Sequence, residues 1–232
     1  MTNFAIPAPP TPSLPLEGEE ARFPIRRIFC VGRNYAAHAR EFGNDPDRDP
    51  PFFFTKPADA AFCPEEIGGD APFPPMTENL HHEVELVVAV GAGGRDIAPE
   101  AALDHVFGYG VGVDMTRRDL QDVAKKMSRP WDWSKAFDAS APISTLRRAR
   151  DIGHPATGAI GIAVNGETRQ AADIADMIWP IPDVIAYLSR AMTIAPGDLI
   201  MTGTPAGVSQ LVRGDKVAGH VSGVGEIGFR MV

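Results

Sequence analysis

The stretch HHEVELVVAV, residues 81–90, constrains the fold of this chain more than any other. Val84, Leu86, Val88 and Val90 alternate with Glu83, Glu85, Val87 and Ala89, which is the two-residue repeat of a β-strand. Glu83 and Glu85 therefore share a face. Two carboxylates on one pleat raise each other's pKa unless a cation lies between them or water screens them, and a solvated acidic edge strand satisfies the same pattern. Asp114 narrows the choice. It ends the apolar run VFGYGVGVDMT, which reads as a buried strand with Gly108, Gly110 and Gly112 where backbones approach closely. A charged residue ending a buried strand needs a partner. Two glutamates from one strand and an aspartate from another make an oxygen donor set that suits Mg²⁺, Mn²⁺ or Ca²⁺ better than zinc. His81 and His82 lack an H-x-x-x-H spacing, and adjacent strand residues face opposite ways, so they read as neighbours of the site and not as ligands.

A chain of 232 residues, 44% hydrophobic, has length enough for one substantial core. Its 22 basic and 30 acidic residues leave a net charge of −8, which argues against a general nucleic-acid or anionic-membrane surface. No apolar run approaches the roughly 20 residues that span a bilayer. Cys30 and Cys63 sit in apolar surroundings without C-x-x-C spacing and read as buried free thiols, so the expected location is the cytoplasm.

Taken in order, residues 1–22 are rich in proline and read as an extended N-terminal arm, with one domain over 23–232. IRRIFCVGRNY gives a strand through Val31, and the following NYAAHAREFG gives a short helix with Asn34 as its N-cap. On that helix His38 and Glu41 lie three apart, so the carboxylate can orient the imidazole as a general base; an exposed pair with no role fits the same spacing. PFFFTKPADA is an aromatic strand whose Lys56 points toward a cleft. GAGGRD reads as a hairpin turn, and TRRDLQDVAKKM as a helix with Leu120, Val123, Ala124 and Met127 inward. Arg118 and Gln121 follow Asp114 closely enough to line one side of a site. Trp131 and Trp133 read as packing residues, and Lys135 as a clamp for an anion. Asn165-Gly166 marks a hairpin, PIPDVIAYLSRAM a helix burying Val184, Ile185, Leu188 and Met192, and Thr202, Gly203 and Thr204 a set of donors for a carboxylate.

The blocks FCVGRNYAAHARE, FFFTKPADA, HHEVELVVAVG, GYGVGVDMTRRDLQ, WDWSKAFDASAPI, VNGE and DLIMTGTPAGV, in this order, resemble the fumarylacetoacetate hydrolase family and within it the acylpyruvase branch. The resemblance implies an α+β, predominantly β fold, a mixed β-sandwich roll, assembled as a homodimer. It implies Mg²⁺ or Mn²⁺ on Glu83, Glu85 and Asp114, catalytic roles for His38, Glu41 and Lys135, and contacts from Arg33, Lys56, Arg118, Gln121 and Thr204 to a small 2-oxo acid. Arg33 is a candidate for a second carboxylate on that acid, or else a structural partner of an aspartate. The expected reaction is hydrolysis of an acylpyruvate such as fumarylpyruvate in aromatic catabolism through gentisate. Oxaloacetate decarboxylation, isomerisation and decarboxylation of 2-oxo-diacids, and non-catalytic oxo-acid binding use the same constellation. One departure is visible: Ser209-Gln210-Leu211 stands where the family has a small turn.

Overall fold

The computed structural model describes residues 4–41 and 50–232, the side chains of Ala39 and Glu41 excepted. Two sheets form a sandwich. The six-stranded sheet runs, in spatial order, Arg147–Arg148, Val106–Val113, Val84–Val90, Asp198–Met201, Arg27–Gly32 and Phe52–Lys56. The five-stranded sheet runs Glu167–Asp173, Ala159–Val164, Lys216–Val221, Gly225–Met231 and Asp70–Ala71. Both are mixed, since Asp198–Met201 pairs in parallel with Arg27–Gly32 and Gly225–Met231 with Asp70–Ala71. The α+β, predominantly β architecture thus agrees with the sequence expectation.

The strand alternation sets the layers. Val84, Leu86, Val88 and Val90 enter the core between the sheets with Ile160, Ile162, Val217 and Ile227. Val87 and Ala89, on the face of Glu83 and Glu85, enter a second core with Ile28, Cys30, Leu199 and Met201. That second core is closed by Leu14, Leu16 and Phe23 from the first 24 residues, where Ser13–Leu16 and Glu19–Pro24 form an antiparallel hairpin. The arm boundary expected at residue 22 falls inside the Glu19–Pro24 strand, and Leu14 is fully buried. Prolines in SLPL and ARFP sit within this isolated two-stranded hairpin, where a missing amide donor is tolerated.

The Val84–Val90 and Val106–Val113 strands pair antiparallel, placing Val84 opposite Val113 and Glu85 opposite Gly112. Gly108 is required beside the edge strand Arg147–Arg148: a Cβ there would lie 2.2 Å from the Arg147 carbonyl oxygen. These strands are joined not by a tight turn at GAGGRD but by a longer excursion through PEAALDHV, which reads as a short helix and forms a 3₁₀ helix at Pro99–His105. The Asn165-Gly166 turn is as expected, with both residues at positive φ, +54° and +82°. In the Ile181–Ala191 helix, Val184, Ile185 and Leu188 are buried, whereas Met192, one residue past its end, is 37% exposed. Cys30 and Cys63 are free and buried. Among the described residues, no helix is long and apolar enough to cross a membrane.

Candidate metal centre and active site

Register brings the acids together. Glu83 precedes the Val84–Val90 strand, Asp114 follows Val106–Val113, and the Asp114 amide donates to the Glu83 carbonyl at 2.8 Å. One carboxylate oxygen from each of Glu83, Glu85 and Asp114 lies within 4.8 Å of the others, and all three residues are buried. Such burial is costly without countercharge. Lys135 supplies part of it, its Nζ lying 2.7 Å from Glu83 Oε2, 2.6 Å from Asp114 Oδ2 and 2.6 Å from Thr116 Oγ1. Arg118 donates to Glu83 Oε1 and to Gln121 Oε1. Lys56 lies 2.8 Å from Asp114 Oδ1, in an ion pair whose angles give that oxygen no directed hydrogen bond.

The carboxylates are held in different states. Burial pushes the Glu83 carboxyl up, yet Lys135 and Arg118 outweigh it and hold it well below the usual range. Burial, then the charges of Asp114 and Glu83, drive Glu85 well above it, although Gly203 N–H donates to Glu85 Oε2 at 2.7 Å. Lys135 is raised: desolvation opposes its charge, but Asp114 and Glu83 prevail. A buried carboxyl kept from ionising by its two neighbours, an Asp114 oxygen without a directed donor and an all-oxygen set together fit a hard divalent cation. This cluster is poised to chelate one.

A cavity opens over the three acids. Its lining contains nine of the residues expected from the sequence: Glu83, Glu85, Asp114, His38, Arg33, Arg118, Gln121, Lys135 and Thr204. Lys56 is not among them. Its Nζ also donates to the Met115 carbonyl at 3.2 Å and to that of Lys135, so it stands as a buried support beneath Asp114 and not, as expected from the sequence, on the cavity wall. The reason is local: Lys56 is the last residue of the edge strand Phe52–Lys56, and its side chain is fully buried. Glu41 closes the Ala36–Glu41 helix, but its side chain lies outside the described residues, so its pairing with His38 remains the sequence's expectation. His38 itself is 7% exposed and close enough for its charge to act on Glu83.

Several residues that hold the site went unread in the sequence. Asn34, expected as an N-cap, instead donates to the Trp179 and Thr202 carbonyls at 2.9 and 2.8 Å and accepts from Trp179 N–H, pinning the segment before the His38 helix to distant loops. His81 is pressed down to about 4, by burial first and then by Arg118. Neutral, it donates from Nε2 to Asn79 Oδ1 at 2.9 Å and accepts from Arg118 Nε at 3.4 Å. His82 is buried between Ser209 Oγ and Gln170 Oε1, each 2.9 Å away, and Gln170 Nε2 donates to Thr204 Oγ1 at 2.7 Å. The departure at Ser209-Gln210-Leu211 thus has a use: Gln210–Leu211 pairs with Leu80–His81, and Ser209 anchors the chain of bonds that orients Thr204. Of the two tryptophans, Trp131 stands edge-on to Phe52 at 5.5 Å and lines the cavity, while Trp133 is 70% exposed, contrary to its expected packing role. The Arg118–Lys126 helix likewise turns Arg118, Gln121 and Ala124 inward and leaves Val123 and Met127 exposed.

The family model for the fumarylacetoacetate hydrolase C-terminal region matches residues 27–232. The chain belongs to this family. A solved Pseudomonas aeruginosa fumarylpyruvate hydrolase, in complex with Mn²⁺ and pyruvate, is 49% identical with a TM-score of 0.95, and the match covers 99% of each chain. A Burkholderia cenocepacia structure is 58% identical with a TM-score of 0.92, covering 99% of this chain and 98% of that one. The mitochondrial oxaloacetate tautomerase of Bos taurus is 41% identical over 206 residues, 89% of this chain and 91% of its own. This family member is a metal-binding, acylpyruvate-hydrolase-like enzyme. The cytoplasmic expectation is corrected by the relatives from Bos taurus, Rattus norvegicus and Homo sapiens, which are named mitochondrial. Two unpaired, buried cysteines do not distinguish between compartments.

Proposed function

We propose that this protein hydrolyses the C–C bond of an acylpyruvate, fumarylpyruvate foremost, to a carboxylic acid and pyruvate, as a homodimer in the breakdown of aromatic compounds through gentisate. The observation that carries the reading is the convergence of three buried carboxylates, Lys135 and His38 on one cavity. Glu83, Glu85 and Asp114 would hold Mg²⁺ or Mn²⁺, which supplies a chelating site for a 2-oxo acid and electrostatic relief for an enolate. The three carboxylates are already matched by Lys56, Lys135 and Arg118, so a divalent ion leaves the centre net positive and suited to an anionic substrate.

His38, oriented by Glu41, takes a proton from water as the water oxygen bonds to the distal acyl carbon. The electron pair of the breaking C–C bond passes to the pyruvyl fragment. Its enolate then accepts a proton, giving pyruvate. Lys135, with its fixed ammonium, favours the enolate charge more than the neutral ketone and so lowers the barrier. Arg118 and Gln121, already bonded to each other, orient the pyruvyl end, and Thr204 offers a hydroxyl held by Gln170.

The test is to incubate the protein, with Mg²⁺ or with EDTA, in fumarylpyruvate, maleylpyruvate, acetopyruvate and oxaloacetate. The expected outcome is metal-dependent release of two acids from an acylpyruvate, abolished in His38→Ala while metal binding persists. Carbon dioxide in place of a second acid overturns hydrolysis. Light scattering of the purified protein tests the dimer. A second reading is favoured by the oxaloacetate tautomerases at 40–41% identity. It requires proton transfer at the carbon beside the ketone without attack by water, and loss of the enol absorbance of oxaloacetate with no change in total acid would support it.

A further inference from the structure

The cationic lining of the cavity continues past the metal centre to Arg33 and Lys125, on a wall built from aromatic rings. The Arg33 guanidinium lies 5.3 Å from the Phe52 ring centroid, and Lys125 Nζ lies 5.6 Å from that of Trp131. Those two rings touch edge to face, so the cations ride on adjoining parts of one surface. Their backbones come from unrelated places. Arg33 follows the Arg27–Gly32 strand at φ +57°, and Lys125 lies in the last turn of the Arg118–Lys126 helix. Among the described residues, no carboxylate pairs with Arg33. Burial lowers the Lys125 pKa, and the charges of Arg118 and Arg33 lower it further against the opposing charges of Asp122 and Glu83, which places both arginines within electrostatic reach of Lys125. Aromatic rings exclude water from one side of each charge and strengthen its attraction for an anion.

We propose that Arg33 and Lys125 form a second carboxylate-binding site, which selects acylpyruvates whose acyl arm ends in a carboxylate over those with a neutral arm. The proposal rests on the hydrolase reading for which substrate spans the cavity, but the site can be probed without turnover. A dianion would then be held at both ends, the pyruvyl end at the metal centre and the distal end between the two cations. A neutral arm gains nothing from them.

The experiment uses the Mn²⁺-loaded full chain. Calorimetry compares fumarate with its monomethyl ester, and kcat/KM compares fumarylpyruvate with acetopyruvate, in wild type, Arg33→Gln, Lys125→Met and Lys125→Arg. Wild type is expected to favour the dianion in both assays. The preference should fall roughly 10- to 100-fold in Arg33→Gln and in Lys125→Met, the range for losing a charged hydrogen bond, and Lys125→Arg should keep most of it. Equal losses on both substrates overturn the proposal, as does wild type binding the monomethyl ester as tightly as fumarate. If wild type hydrolyses neither acylpyruvate, the hydrolase reading fails, while the fumarate and ester titrations still decide the site. Should Lys125→Met fail to fold, Lys125→Arg and Arg33→Gln carry the comparison.

Discussion

Lys56 separates a structural cation from a substrate-binding one. It is fully buried, 2.8 Å from Asp114 Oδ1, and outside the cavity lining. Lys56→Met keeps the aliphatic stem and deletes the charge. Asp114 then retains Lys135 on its other oxygen but loses the partner beneath it, and removing one member of a buried pair costs about 3–5 kcal/mol. At ~2–4 °C per kcal/mol for a chain of this length, the metal-free variant should melt about 6–20 °C below wild type. A divalent ion restores countercharge at the same carboxylate, and at a hundred times its Kd stabilises the fold by about 2.7 kcal/mol. Thermal unfolding by circular dichroism, in EDTA and in saturating Mn²⁺, therefore shows a gap that narrows with metal. Because Lys56 does not reach the cavity, KM for the substrate in saturating metal should change little beside the change in melting temperature. A variant that melts within about 2 °C of wild type in EDTA but raises KM tenfold or more would refute this reasoning and return Lys56 to the substrate.

Glu85 makes metal binding pH-dependent. Its folded carboxyl titrates above that of the unfolded chain, because of burial and then of Asp114 and Glu83, so between those two values the folded state holds a proton that the unfolded chain has lost. Metal-free stability contributed by this group falls as pH rises through that window, and Mn²⁺ affinity falls as pH drops through the raised pKa. Calorimetric titration in two buffers of different ionisation enthalpy should detect proton release on Mn²⁺ binding, and buffer-independent heats would contradict it. Asp119 behaves oppositely: burial raises its carboxyl, but the Thr77 hydroxyl at 2.7 Å and the Glu78 and Leu120 amides at 3.0 and 2.9 Å bring it below the usual value. Asp119→Ala should cost about 1 kcal/mol at neutral pH, with the difference present above the unfolded pKa and lost as pH falls through the folded one, read from urea unfolding at several pH values. Gly108→Ala should destabilise by about 2 kcal/mol or more, since its methyl group meets the Arg147 carbonyl, and an unchanged urea midpoint would show that the edge strand can yield.

What was legible in the sequence was local. The alternation around Glu83 and Glu85, the glycines before Asp114 and the Asn165-Gly166 turn each follow from the sterics of a few adjacent residues, and each stands in the structure as read. Asn34 was misread because its amide serves carbonyls 145 and 168 residues away, while its position before a helix is also that of a cap. The proline content of the first 22 residues masked the alternation of Leu14 and Leu16, whose partners lie in a core closed by distant strands. The Arg118–Lys126 helix shows the deeper difficulty. Its periodicity does separate two faces, but the rule that the apolar face turns inward assumes an apolar interior. Here the inward face meets buried carboxylates, so Arg118 and Gln121 turn in while Val123 and Met127 remain outside. The inversion follows once Glu83 is recognised as a buried charge, because the helix that covers it must bring countercharge. An acid pair on a strand therefore carries information about which face of a neighbouring helix is buried, and the misplaced apolar stripe is itself a mark of the site.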